Sequence, residues 1–268
     1  MKKNVYYSKI ADIYDQTRWL TEPIAEEVAD FILALVKATP ETTFLEPGVG
    51  TGLNVFPLVK RGYSVTGVDV SQEMLNQFRQ KLPHIPPNLK LIYGDASQLS
   101  FPEKSFDVVL TVHMLHAVSD LGIFLDEIDR VLKPKGFYLN AQWVTPPARL
   151  EFEKHFKTIL SKYQEQQTLQ QSLKTINEIN VEEYLVNKGY KCNYWIAKEW
   201  TVSNPIQELL GFYRSRAYGL CWLLSDEAFQ FAMEEFEVFC HNHYGSLEVE
   251  LSSQARFEIW AYTANAGQ

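Results

Sequence analysis

The sequence predicts an α/β fold with a doubly wound, largely parallel sheet. Three observations point there. Short apolar runs alternate with stretches of helical period between about residues 23 and 143. The first run leads directly into a glycine-rich turn, Glu46-Pro47-Gly48-Val49-Gly50-Thr51-Gly52. Three successive runs end in an acid: Glu46, Asp69 and Asp95.

The elements follow in order. A lead-in segment, residues 6–19, precedes a helix over about 23–37 whose apolar face is Ile24, Val28, Phe31, Ile32 and Leu35. Pro23 falls in its first turn, where a missing N–H costs nothing. Phe44-Leu45 is the first strand and residues 64–69 are the second. Ser71 caps a helix that turns Met74, Leu75, Phe78 and Leu82 inward. Residues 89–96 and 106–111 read as strands three and four. A helix over about 120–132 buries Leu121, Phe124, Ile128 and Val131. Lys133-Pro134-Lys135-Gly136 ends it, and residues 137–143 form strand five. After Thr145-Pro146-Pro147 the pattern changes. Residues 149–178 and 181–190 read as helices, the second with Gly189 at its C-terminal cap. Residues 192–203 and about 251–262 are strands six and seven. The long stretch between them is mostly helical, and Phe229, Ala232, Met233, Phe236 and Cys240 mark one amphipathic helix there.

Alternate glycines let a backbone turn sharply and meet a ligand with no side chain between. The spacing is G-x-G-x-G behind an acid, not the G-x-G-x-x-G of a dinucleotide loop, which counts against a nicotinamide-dependent dehydrogenase. Glu46 at the strand end is placed to accept from a cationic amino group. Asp69 suits a bidentate bond to ribose hydroxyls, and Asp95 a bond from an exocyclic amine such as adenine's. Either Asp alone reads as a cap or turn residue; the set reads as one site.

On these residues the chain resembles the class I S-adenosylmethionine-dependent methyltransferases. Residues 44–52, 65–75, 94–97, 105–110 and 132–137 carry the resemblance, which is to the small-molecule branch, similar to the quinone-biosynthesis and trans-aconitate methyltransferases. It covers residues 5–145 well and the rest loosely. It implies a Rossmann-like sheet of seven strands with the last antiparallel. It also implies S-adenosyl-L-methionine as cofactor and S-adenosyl-L-homocysteine as product. Glu46, Gly48, Gly50 and Gly52 would hold the methionine part, and Asp69, with Val70 and Met74 beside it, the ribose. Asp95 and the Ala96 amide would read the adenine, with Thr111 on the fourth strand. Pro47 removes one amide from the loop, a departure found within the family. The implied reaction is an in-line displacement at the sulfonium methyl, for which orientation alone can supply roughly 7–11 kcal/mol.

The resemblance extends to Tyr14-Asp15 and Arg18, a stretch that folds over the cofactor in this branch. There Arg18 would meet the methionine carboxylate and Tyr14 the reacting methyl; an ordinary amphipathic lead-in is the alternative. Tyr7 and Trp19 join it as acceptor-binding candidates. His113 and His116 follow the fourth strand, where a neutral imidazole can take a proton from a hydroxyl or ammonium, an effect typically of about 10²–10⁴-fold. A packing role is the alternative for each. Arg214 and Arg216 are candidate anchors for a substrate carboxylate, or else part of a solvated helix face. Tyr218 and Trp222 are acceptor-binding candidates in an aromatic-rich stretch that is mostly core, with a few rings suited to a flat or cationic acceptor.

The 268 residues carry a net charge of −8. Residues 217–255 contain no Lys or Arg but include Asp226, Glu227, Glu234, Glu235, Glu237, Glu248 and Glu250. No basic track suits phosphates, so nucleic acid and an acidic membrane surface are excluded as partners. No run approaches the roughly 18–20 apolar residues of a membrane span, and the first residues read as no secretory signal. Three widely spaced cysteines, Cys192, Cys221 and Cys240, point to a reducing, cytoplasmic setting. His241 and His243 form an H-x-H pair without a third ligand, so no metal is expected.

The expected organisation is a cover and first helix at 1–40, a cofactor-binding core at 41–145, and the remaining strands at 146–268 with a helical substrate lid near 205–245. The expected activity is methyl transfer to an oxygen or nitrogen of a small molecule by a monomer or homodimer. The alternative is a catalytically silent, cofactor-binding partner subunit.

Overall fold

The computed structural model describes residues 3–163 and 179–264. Seven strands form one sheet: β1 (Thr43–Pro47), β2 (Ser64–Asp69), β3 (Leu89–Tyr93), β4 (Phe106–Val112), β5 (Leu132–Val144), β6 (Tyr190–Pro205) and β7 (Glu250–Ala264). Their order is β3-β2-β1-β4-β5-β7-β6. The pairs β1–β2, β1–β4, β2–β3 and β4–β5 are parallel. Tyr138 stacks on Tyr262 while Gln142 bonds Glu258, so β7 runs against β5. Tyr194 meets Trp260 while Ser203 meets Glu250, so β6 runs against β7. The strand order reverses at β1 and β4, and ligands of open α/β sheets bind beyond the carboxyl ends of strands at such a point.

The central strands are apolar because both faces are covered. Phe44, Leu45, Val108, Val109 and Leu110 are buried. The helices of this part of the chain are α1 (Lys3–Lys9), α2 (Glu22–Leu35), α3 (Phe56–Lys60), α4 (Gln72–Gln80), α5 (Leu121–Val131) and, after α6 (Pro147–Tyr163), α7 (Val181–Asn187); α1 packs on α4. Ser71 Oγ accepts from Met74 N at 3.2 Å at the start of α4, and Asp120 Oδ1 accepts from Ile123 N at 3.0 Å at the start of α5. Each such cap contributes about 1 kcal/mol. Behind the caps α4 buries Met74, Leu75 and Phe78, and α5 buries Leu121, Phe124, Leu125, Ile128 and Val131.

Two boundaries differ from expectation. Lys133–Gly136 does not interrupt the chain between α5 and a later strand; it lies within β5, which begins by pairing Leu132 with Phe106. The register then shifts before Val108 meets Phe137. Gly136 permits this, because a Cβ there would stand 2.8 Å from the Asp107 carbonyl oxygen. The helix after Ser71 stops at Gln80, so Leu82 lies beyond it. The later part of the helix expected over 149–178 lies outside the described residues.

The chain divides into two compact units. The first comprises residues 1–143, 177–198 and 257–268; the second comprises 144–176 and 199–256. The second unit holds α6, α8 (Ile206–Arg214) and α9 (Asp226–Tyr244). Its own core includes Phe152, Phe156, Leu210, Tyr213, Phe236 and Cys240. Phe152 and Phe156 each place their ring centroid 4.8 Å from that of Phe236. The stretch expected as a helical substrate lid at 205–245 lies in this unit, and α6 contributes Phe152 and Phe156 to the shared core. No described helix is long and apolar enough to cross a membrane.

Candidate active site

The site is built on the turn after β1. Gly48, Gly50 and Gly52 all have positive φ, at 74°, 55° and 76°, which a side chain would strain. They differ in what surrounds them. A Cβ on Gly48 would lie 2.6 Å from Met114 Cγ, and one on Gly52 would enter the Phe78 ring. A Cβ on Gly50 meets nothing within 4 Å. Gly48 and Gly52 therefore serve packing, while Gly50 borders open space. The turn is stitched to β2: Gly48 N and Val49 N donate to Val68 O at 2.7 and 3.0 Å. Asp69 Oδ2 accepts from Gly50 N and Oδ1 from Ser71 N, both at 2.8 Å.

Glu46 is completely buried at the end of β1. Its Oε1 accepts from Asn54 Nδ2 at 3.0 Å, and its Oε2 has no partner among the described residues. Burial pushes this carboxyl well above the usual range, against the Asn54 bond that favours the anion. A buried, half-satisfied carboxyl is costly unless a donor arrives. Burial also raises Asp69, opposed by the Ser71 and Gly50 amides. Val70 beside it is 42% exposed, an apolar surface at the strand tip. Asp95 is exposed, with Oδ1 accepting from Ser97 N at 2.8 Å, and Ala96 is buried. Met74 sits on the inward face of α4. Thr111 of β4 is fully buried and its Oγ1 pairs with Tyr138 Oη at 3.1 Å.

The N-terminal segment reaches three of the loops at this end of the sheet. Thr51 Oγ1 of the glycine turn donates to Asp15 Oδ1, and Lys81 pairs with the other oxygen of Asp15. Ser8 Oγ bonds Ser71 Oγ at 2.9 Å, and Tyr7 Oη bonds His116 Nε2 at 3.1 Å. The Arg18 guanidinium lies 4.1 Å from the centroid of the Tyr14 ring, and its Nη1 donates to Thr17 Oγ1 at 3.1 Å. Burial pushes the Tyr6 phenol up and the Tyr7 phenol up to about 12. Trp19 meets Trp143 edge-on at 5.5 Å.

The two histidines separate. His113 has φ +52° and packs edge-on against Trp143 at 4.6 Å. Its Nε2 lies 2.8 Å from Trp143 O and 2.9 Å from Trp143 N. Burial lowers its pKa to about 4, so it is neutral near pH 7. With Nε2 tied to the backbone, His113 joins the ends of β4 and β5. His116 is exposed and meets Tyr7.

The remaining acceptor candidates lie in the second unit and have local roles there. Arg214 pairs with Glu237 on the surface. Arg216 pairs with Asp226 at 2.9 Å and covers the Phe229 ring at 4.2 Å. Trp222 Nε1 donates to Arg216 O at 2.8 Å, and Tyr218 packs on Tyr213 at 5.0 Å. The guanidinium of Arg216 is thus engaged within the second unit by Asp226 and the Phe229 ring. Sequence reasoning missed Asn54, Thr51, Ser8 and Trp143. The acid in Tyr14-Asp15 and the hydroxyl inside the glycine turn were the available signals. Among the described residues no cluster of three or more His, Cys, Asp or Glu is arranged to hold a metal.

Residues 45–140 match the family described as methyltransferase domain. A demethylmenaquinone methyltransferase of Tropheryma whipplei is 34% identical over 144 residues, which is 52% of this chain and 58% of that enzyme. The chain thus spans little more than half the length of this curated relative. Among solved structures, a putative methyltransferase from an antibiotic biosynthesis pathway of Anabaena variabilis shares the fold with a TM-score of 0.59 at 16% identity, over 89% of this chain and 96% of that one. A phosphoethanolamine N-methyltransferase of Haemonchus contortus, in complex with phosphomonomethylethanolamine and S-adenosylhomocysteine, has a TM-score of 0.50 at 17% identity, over 88% of this chain and 52% of that one. The glycine turn, the acids at the ends of β1 and β2 and strands β2, β3 and β4 lie inside the matched segment. Residues 45–140 are thus similar to a methyltransferase domain, and the neighbours among solved structures share the fold that carries it.

Proposed function

We propose that this chain moves the methyl group of S-adenosylmethionine to an oxygen or nitrogen of a small molecule. One observation carries the reading. A buried carboxyl, Glu46, keeps an unpartnered oxygen behind a turn whose middle glycine borders open space. When bound, the cofactor supplies a sulfonium methyl group and a cationic amino group. Glu46 is suited to that amino group, Gly50 to close backbone approach, and Arg18 to the carboxylate. Asp69 keeps lone-pair capacity for ribose hydroxyls beyond the backbone amides it accepts from, and Val70 offers apolar surface. Asp95 and the Ala96 amide suit the adenine edge. The matched domain supports this reading, as does the S-adenosylhomocysteine held by the Haemonchus enzyme.

For the acceptor, His116 is the group suited to taking a proton. The Tyr7 hydroxyl, 3.1 Å from His116 Nε2, orients the imidazole; with the ring proton on Nε2 and donated to Tyr7 Oη, Nδ1 keeps the lone pair that takes the acceptor's proton. Tyr7, Tyr14 and Trp19 supply aromatic surface beside it. The named acceptors of the relatives, a demethylmenaquinone and a phosphorylated ethanolamine, differ widely, so the reading stops at a small molecule. The free cysteines support the expected cytoplasmic setting.

The test is calorimetric titration with S-adenosylhomocysteine, followed by transfer of labelled methyl into a metabolite library. Binding with transfer supports the proposal. Binding without transfer to any fraction favours the silent partner subunit, and no binding overturns both.

A further inference from the structure

We infer that this chain forms a symmetric homodimer by pairing β6 with β6 of a second copy, antiparallel and centred on Trp195. β6 is the last strand of the sheet, so one of its edges is open among the described residues. Natural edge strands are usually protected by short length, proline, bulges or charge. β6 spans 16 residues, and its single proline, Pro205, stands at its end. Its middle exposes three large side chains in succession: Tyr194 at 47%, Trp195 at 44% and Ile196 at 42%. The Trp195 ring rests edge-on against Phe31 of α2 at 6.3 Å, which fixes its orientation.

The strand's own sequence selects the occupant. In an antiparallel pair centred on Trp195, each residue faces the residue equally far on the other side of the centre. Lys191 then faces Glu199 of the second copy, and the pair occurs twice by symmetry. Both side chains are exposed, and neither has an ion-pair partner among the described residues. Asn193 faces Ala197, a medium side chain against a small one, and Tyr194 faces Ile196, ring against branched aliphatic. Lys191, Asn193, Trp195, Ala197 and Glu199 share one face of the strand, so the charges flank an apolar centre. A shift of one residue in register breaks the Lys–Glu pairing and separates Tyr194 from Ile196. The charge pattern is therefore self-complementary in this register.

Sedimentation velocity of the full chain over a concentration series is the measurement. The wild type should dimerise in a concentration-dependent way, weakened by salt. Lys191→Glu, which sets Glu against Glu twice, should weaken the dimer about tenfold or more. Lys191→Glu combined with Glu199→Lys should restore it. Circular dichroism and Tm of both variants check that the exposed changes leave the fold intact. Trp195→Cys adds a second readout, because position 195 faces itself and should form an intermolecular disulfide under mild oxidation. A wild type that stays monomeric up to about 1 mM overturns the inference. So does a dimer that Lys191→Glu leaves unchanged, or a Trp195→Cys variant that oxidises no faster than wild type.

Discussion

Thr51 Oγ1 donates a hydrogen bond to Asp15 Oδ1, tying the N-terminal segment to the turn that follows β1. Lys81 holds the other carboxylate oxygen of Asp15, so the two bonds fix the carboxylate from both sides. A bond to a charged acceptor contributes about 1.5–3 kcal/mol when its surroundings exclude water, and less where they do not. Thr51→Val should therefore raise deuterium uptake in residues 6–19 by tenfold or more, and speed release of S-adenosylhomocysteine. Hydrogen exchange read by mass spectrometry is the check. Uptake equal to wild type in both the free and the product-bound protein would sink the role assigned to this bond.

The three glycines of the turn should fail differently. Gly52→Ala drives a methyl group into the Phe78 ring and Gly48→Ala presses on Met114, so both should lower Tm, at a cost of about 1–3 kcal/mol for overpacking. Gly50→Val adds its side chain to open space at φ 55°, which strains the backbone but displaces no neighbour. It should lower Tm least and abolish S-adenosylhomocysteine binding. Thermal melts paired with calorimetric titration separate the two classes. A Gly50→Val protein that binds normally means the turn is not the cofactor loop.

The parallel core was legible in the chain because each of its signals is local. The apolar runs, the acids at their ends, Ser71 and Asp120 as caps and the alternate glycines all act within a few residues. The roles that could not be read depend on long-range neighbours. Nothing near Thr111 shows that Tyr138 will stand beside it and close it into the interior. The partners of Arg214 and Arg216, namely Glu237, Asp226 and Phe229, come from α9 and lie far from the two arginines in sequence. His113 and His116 look alike in sequence, and only the return of β5, which places the Trp143 backbone against His113, tells them apart. The second unit was hidden for the same reason. Its core joins α6 to α8 and α9, helices that share no local pattern and are separated in the chain by β6.

His113 should leave a signature in the acid limb of the stability curve. Its folded pKa, about 4, lies below the usual value of 6.5, so between these values the unfolded chain binds the proton that the folded one refuses. The sign follows: this contribution is complete above about pH 6.5 and is lost as pH falls toward about 4. His113→Asn removes the titration, and Asn tolerates the positive φ. Denaturant melts between pH 4 and 7 should show a flatter slope in the variant. Parallel curves for the two proteins would mean that His113 is protonated as readily in the folded state as in the unfolded one.

Glu46 has the opposite sign and couples to the ligand. Burial holds its folded pKa well above 4.5, so the folded protein keeps a proton that the unfolded chain releases. The associated stability is full below about pH 4.5 and declines as pH rises through the folded value, so Glu46→Gln should flatten that decline in the ligand-free protein. A cationic amino group arriving at Oε2 favours the ionised carboxylate, so binding should expel the proton. Calorimetry of S-adenosylhomocysteine binding at neutral pH, in buffers of different ionisation enthalpy, reads that proton directly. The wild type should show buffer-dependent heats corresponding to proton release, and Glu46→Gln should not. The variant should also bind about ten- to a hundredfold more weakly, the equivalent of losing a hydrogen bond to a charged group. Heats that are the same in every buffer, together with wild-type affinity in Glu46→Gln, would mean that the ligand's amino group does not meet Glu46, and that the unpartnered oxygen serves some other donor.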